Sequence, residues 1–154
     1  RHRTVSLQLG YNKKEILNNP FSKYIEMIEG SSVDKKIIDK VHHIAKDHKK
    51  IMIFLDSNHT HEHCLAELNA YAKLTSVGSY IVAFDTVIEY LPDNHLPNNS
   101  NPSIADARTY KKGDNPMTAV IEYLKNNDDF EIDSKIDDKL LISVAPNGYL
   151  KRIK

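Results

Sequence analysis

The spacing of apolar positions changes along the chain, and each change marks an element. In TVSLQLG, residues 4–10, Val5, Leu7 and Leu9 alternate with polar residues, which predicts a strand. NKKEILNN, residues 12–19, is polar and predicts a short helix stopped by Pro20. YIEMIEG, residues 24–30, reads as a strand entering a turn at EGSS. From Val33 the spacing becomes helical. Val33, Ile37, Ile38, Val41, Ile44 and Ala45 share one face, with Ser31 or Ser32 as N-cap. KIMIFLD, residues 50–56, holds a continuous apolar run from Ile51 to Leu55, the pattern of a strand buried on both faces of a parallel sheet. The next helix, over residues 60–75, is expected to bury Leu65, Leu68, Tyr71, Ala72 and Leu74. SVGSYIVAFD, residues 76–85, reads as a turn and a second buried strand. Residues 91–114 carry Pro92, Pro97, Pro102 and several asparagines, and form a loop long enough to serve as a lid. Asn115 and Pro116 open a helix whose apolar face is Met117, Val120, Ile121 and Leu124. DFEID, residues 129–133, predicts a strand, and KLLISVAPNGYLKRIK, residues 139–154, a hairpin turning at Pro146, Asn147 and Gly148.

Strands alternating with helices predict an α/β fold with a mostly parallel sheet and an antiparallel edge from the final hairpin. A chain of 154 residues suits a single domain. Ligands in such sheets sit beyond the carboxyl ends of the strands, where EGSS, DSNHTHEH and DTVIEY fall. The composition, 40% apolar and 27% charged, is that of a globular protein. Lys+Arg and Asp+Glu balance at 21 each, which argues against a general nucleic-acid or anionic-membrane partner. No apolar run approaches a membrane span, and RHRTVSLQLG lacks the core of a signal peptide. Cys64 is the only cysteine, so no internal disulfide forms, and a cytoplasmic location is the expectation. Oligomeric state, including a homo-oligomer, stays open.

Asp56 and Asp85 each end a predicted buried strand. Neighbouring parallel strands lie about 4.8 Å apart, so the two carboxylates would converge at the rim. Two hard oxygen donors suit Mg²⁺, which keeps waters or substrate oxygens in its other positions. The competing reading is that each aspartate caps the turn after its strand. His59, His61 and His63 alternate beside them. A zinc hydrolase built on the three is a further reading, but HTHEH is one residue short of H-x-H-x-D-H and lacks its aspartate, and H-E-x-x-H is absent. Otherwise they decorate a helix start, with Thr60 as cap, Glu62 favoured by the helix dipole and Cys64 turned into the core. Ser31 and Ser32 stand at a strand-to-helix turn whose free N–H groups suit an anion or a plain cap.

Four blocks in order resemble the cephalosporin hydroxylase family, which includes rhamnosyl O-methyltransferase-like proteins. They are IEMIEGSSVD, IMIFLDSNHTHEHCLAELNAYAKLTSVGSYIVAFDT, KKGDNPMTAVIEYL and NGYLKR. The resemblance implies a Rossmann-like class I methyltransferase sheet that uses S-adenosylmethionine (SAM), with Mg²⁺ as a second cofactor. It implies metal ligation by Asp56 and Asp85, with Thr86 where the broader group of metal-dependent O-methyltransferases has an asparagine. His59 falls where catechol-type enzymes carry a catalytic lysine, which implies a general base. Gly30, Ser31, Ser32 and Val33 match the loop bordering the adenine, and Asp56 also faces the cofactor. The activity implied is methyl transfer to a hydroxyl of a sugar or small secondary metabolite. The family's opening glycine-rich turn and second-strand acid have no counterpart: the five glycines are Gly10, Gly30, Gly78, Gly113 and Gly148. The resemblance therefore implies an N-terminally truncated domain. The alternative is a non-catalytic remnant that binds a ligand or a partner chain.

Overall fold

A computed structural model describes residues 4–6, 13–92 and 110–154. The chain divides into two compact units, residues 1–47 and 48–154. Leu7, Leu9 and most of the expected lid lie outside the described residues. Among the described residues, no helix is long and apolar enough to cross a membrane.

In the first unit, β1 (Thr4–Ser6) pairs in parallel with β2 (Ile25–Met27). Between them lie α1 (Lys13–Asn18) and a 3-10 turn, Ser22–Tyr24. α2 (Lys35–Ala45) is capped by Asp34, whose carboxylate accepts from the Lys36 N–H at 2.9 Å. The cap expected at Ser31 or Ser32 is thus displaced. The Asp34 N–H bonds the Ser31 carbonyl at 3.0 Å, so the serines form a turn and the helix starts after it. Gly30 has φ +142°, and a Cβ there would meet Ile37 Cδ1 at 2.7 Å. The expected apolar face of α2 is present but only half-buried.

The second unit is built on four strands: β3 (Ile53–Leu55), β4 (Tyr80–Ala83), β5 (Phe130–Ile132) and β6 (Tyr149–Arg152). Their order is β3-β4-β6-β5. β3 and β4 are parallel, while β6 is antiparallel to both β4 and β5. Two of the three pairings are therefore antiparallel, which corrects the mostly parallel sheet and the antiparallel edge. The reversed strand runs inside the sheet. Its Leu150 is fully buried. The expected hairpin partner is absent as a strand: Ser134–Leu140 is a helix, α5, capped by Asp133. Leu141 follows at φ +62°, which breaks any extended course through residues 140–144. Gly148 is needed where this segment crosses β4, because a Cβ there would stand 2.3 Å from the Ala83 carbonyl oxygen.

β3 lies at the sheet's edge, and Met52 and Phe54 are exposed. That corrects the reading of a strand buried on both faces. β4 meets its expectation, with Ile81, Val82 and Ala83 fully buried. α3 (His61–Tyr71) and α4 (Pro116–Lys125) pack against each other. α3 buries Cys64, Glu67, Leu68 and Tyr71, leaving Leu65 half-buried. α4 opens with the expected Asn115 cap and Pro116, tightened by a reciprocal bond with Thr118. Its inward face is Met117, Ala119, Val120 and Tyr123, and Ile121 lies on the exposed side.

Candidate metal centre

β3 and β4 run side by side in the same direction, with Leu55 opposite Ala83. The ladder extends one step further through the Phe84 N–H to the Leu55 carbonyl, at 3.0 Å. Asp56 and Asp85 therefore leave the sheet at the same rim. Asp85 takes the left-handed conformation, φ +56° and ψ +24°, one of the few that an aspartate tolerates better than most residues. Its side chain caps nothing in the following 3-10 turn, Thr86–Tyr90. Asp56 does not cap α3 either, since Thr60 does so by accepting from the His63 N–H. The capping explanation fails for both aspartates.

His59 completes the group. Its Nε2 stands 3.3 Å from Asp56 Oδ1 and 3.1 Å from Asp85 Oδ2. One ligand atom from each of Asp56, His59 and Asp85 lies within 4.8 Å of the other two. Two carboxylate oxygens and an imidazole nitrogen suit a divalent ion. The His59 side chain is 17% exposed, against 63% for Asp56, so the group has a sheltered side and an open one. The Tyr110 ring flanks the sheltered side, with its centroid 5.8 Å from that of His59.

The loop that carries Asp56 and His59 is tied from below. Ser57 Oγ donates to Glu67 Oε1 at 2.8 Å, and Asn58 Oδ1 accepts from the Thr60 N–H at 3.0 Å. The described segment that starts at Tyr110 is tied from the side. Glu89 accepts from the Gly113 N–H at 2.9 Å and from the Asn115 amide. These two bonds hold the Glu89 carboxyl below its usual range, the Gly113 N–H contributing more. Asp114 Oδ1 accepts from the His61 N–H at 2.9 Å, joining that segment to the start of α3.

The three histidines do not converge. His61 bonds Thr118 Oγ1 at 2.7 Å and Glu122 Oε2 at 3.0 Å on α4, and His63 Nε2 lies 3.7 Å from Glu67. Each faces different partners, so the zinc arrangement does not form among them. Cys64 is buried, and burial followed by the nearby Glu67 charge pushes its thiol up to about 12, which leaves it inert.

Thr86 is also placed otherwise than the resemblance implies. It is fully buried, and its hydroxyl donates to the Pro146 carbonyl at 2.7 Å. The backbone turns over at Asp85, so the next side chain enters the core and fastens the segment before β6. Gly30, Ser31, Ser32 and Val33 belong to the first unit, where Ser32 is buried and Gly30 and Ser31 are exposed. Glu67, Glu89 and Tyr110 escaped the sequence reading. Glu67 left one signal, a carboxylate within the otherwise inward-facing set Cys64, Leu68 and Tyr71.

Residues 5–153 match the family described as rhamnosyl O-methyltransferase/CmcI. The chain is 29% identical over 127 residues to rhamnosyl O-methyltransferases of Mycobacterium tuberculosis (strain H37Rv) and Mycobacterium bovis (strain BCG / Pasteur). That match takes in 81% of this chain and 46% of each relative, so the chain spans about half the length of the curated relatives it matches. No solved structure matches it. The ordered motifs and the extent of the match place the chain in the rhamnosyl O-methyltransferase/CmcI family.

Proposed function

We propose that this chain carries the ion-holding and acceptor-activating part of a SAM-dependent O-methyltransferase acting on a hydroxyl of a sugar or small metabolite. The observation that carries the reading is the grouping of Asp56, His59 and Asp85 at one rim. Family membership supports the reaction, and the relatives' name supports a sugar hydroxyl such as that of a rhamnosyl group. When bound, a SAM-type donor supplies the methyl group and a divalent ion such as Mg²⁺ supplies positive charge beside the acceptor oxygen.

Asp56 and Asp85 would hold the ion from the two strand ends. With the ion held by the two carboxylates alone, the His59 ring at the same rim would be left to take the acceptor's hydroxyl proton. Tyr110 would wall the acceptor side. Gly30, Ser31, Ser32 and Val33 would border the donor's adenine. The sheet would be the C-terminal part of a class I methyltransferase sheet, because two adjacent parallel strands end in the expected aspartates.

The test is binding followed by turnover on the full 154-residue chain. Calorimetry with Mg²⁺ and with SAM should register both, and labelled SAM should methylate a rhamnoside. Asp56→Asn with Asp85→Asn should remove the Mg²⁺ signal. Folded protein that binds neither Mg²⁺ nor SAM would overturn the proposal. Binding without turnover over a broad panel of hydroxyl acceptors would favour the non-catalytic alternative.

A further inference from the structure

Glu67 is a carboxylate in the core, 3% exposed, among Cys64, Leu68 and Tyr71. Removing a carboxylate from water is costly, and an apolar residue at such a position is often neutral or stabilising. Its charge acts on its surroundings: after burial itself, it is the next cause that pushes the Tyr71 hydroxyl up to about 12. A group retained against that cost calls for a purpose beyond packing, and its bonding indicates one. Glu67 Oε1 accepts from Ser57 Oγ at 2.8 Å, and Ser57 is the residue after Asp56. The same oxygen, Oε1, has His63 Nε2 3.7 Å away, one helical turn back on α3.

We propose that Glu67 is a positioning residue for Asp56 and His59. From beneath the rim it holds Ser57, and through Ser57 it sets the course of the loop that carries both side chains. The inference rests on the reading of the rim as an ion site. Residues that orient metal ligands from behind commonly change metal affinity about 10–100-fold when removed. The Asp56 side chain is 63% exposed, so the tether on the next residue, Ser57, restrains its travel. Thr60 and Asn58 fix the far end of the same loop at the start of α3. The Glu67 bond fixes the near end.

The experiment titrates the full chain with Mn²⁺, followed by the spectroscopic signal of the free ion, alongside thermal unfolding. Ser57→Ala should weaken Mn²⁺ binding about tenfold, and Ser57→Thr, which keeps the hydroxyl, should restore it. Glu67→Leu should weaken binding to a similar degree while the unfolding midpoint holds or rises. Glu67→Gln retains an acceptor oxygen and should bind Mn²⁺ nearly as the parent does. Parent-like Mn²⁺ binding in both Ser57→Ala and Glu67→Leu overturns the inference. So does weakened binding that only tracks loss of folded protein, because that is a structural role. A parent chain that takes up no Mn²⁺ overturns the reading of the rim itself and is recognised before any variant is compared.

Discussion

Replacing Asp85 separates the demands of the fold from those of the site. The residue sits at φ +56° and ψ +24°, and its carboxylate caps nothing. Its side chain touches His59 at 3.1 Å and is 31% exposed. An ordinary L-residue in the left-handed region costs about 1–2 kcal/mol, while glycine carries no such cost and Asn and Asp less than most. Glycine in turn frees the unfolded chain by about 0.5–1 kcal/mol. Asp85→Gly should thus leave stability within about 1 kcal/mol of the parent. Asp85→Asn should sit close to the parent as well, whereas Asp85→Ala should fall about 1 kcal/mol below it. With a urea dependence of about 1–3 kcal/mol per molar, that loss moves the midpoint down by about 0.3–1 M. All three variants lose one of the two carboxylates, so all three should bind Mn²⁺ at least about tenfold more weakly. Urea unfolding and Mn²⁺ titration of the same samples read both quantities. Asp85→Ala as stable as Asp85→Gly would refute the backbone reasoning, and undiminished Mn²⁺ binding in Asp85→Asn would refute the ligand assignment.

Three other outcomes are expected. Because the Gly113 N–H and Asn115 bonds lower the Glu89 carboxyl, its stabilising contribution is present above the ordinary glutamate range and is lost as pH falls through the lowered value; Glu89→Gln should flatten the acid limb of a pH-dependent unfolding curve, and an unchanged limb would contradict this. Gly148→Ala should destabilise the chain by about 1–3 kcal/mol, since the new Cβ would meet the Ala83 carbonyl at 2.3 Å; a parent-like thermal midpoint would contradict the close approach. Arg152 Nη1 donates to the Lys73 and Thr75 carbonyls at 2.8 and 2.7 Å, so Arg152→Ala should cost about 1.5–3 kcal/mol in denaturant unfolding, and Arg152→Lys should recover only part of it.

Much of the local architecture was legible because its determinants are adjacent in the chain. Thr60 caps α3 and Asn115 with Pro116 opens α4 because a side-chain oxygen reaches an N–H two or three residues on, a distance any sequence reading spans. The run Tyr80–Ala83 forms a strand through its own β-branched and apolar residues. α2 shows the limit even of local reading: Ser31, Ser32 and Asp34 all offer an oxygen, and the turn geometry selected Asp34. Residues 139–154 show where such reading fails. The apolar stretch Leu140, Leu141, Ile142 and Val144 carries strand propensity, yet the left-handed Leu141 breaks it, and Tyr149–Arg152 finds its partners in β4 and β5.

The site divides along the same line. The sequence by itself determined that Asp56 and Asp85 would follow two apolar strands and that His59 would stand three residues beyond the first. It offered capping, zinc and magnesium as competing uses for them. Only the tertiary structure brought the three together, by laying β3 beside β4 and closing the Asp56, His59 and Asp85 ligand atoms to within 4.8 Å, with neither aspartate serving as a cap. It also turned His61 to α4 and His63 to Glu67, sent Thr86 to Pro146, and brought Tyr110 beside His59. The physical reason is that a cap or a turn is satisfied within a few residues of chain. A ligand group is satisfied by atoms whose separation depends on strand pairing, and pairing is fixed by the burial of the whole sheet.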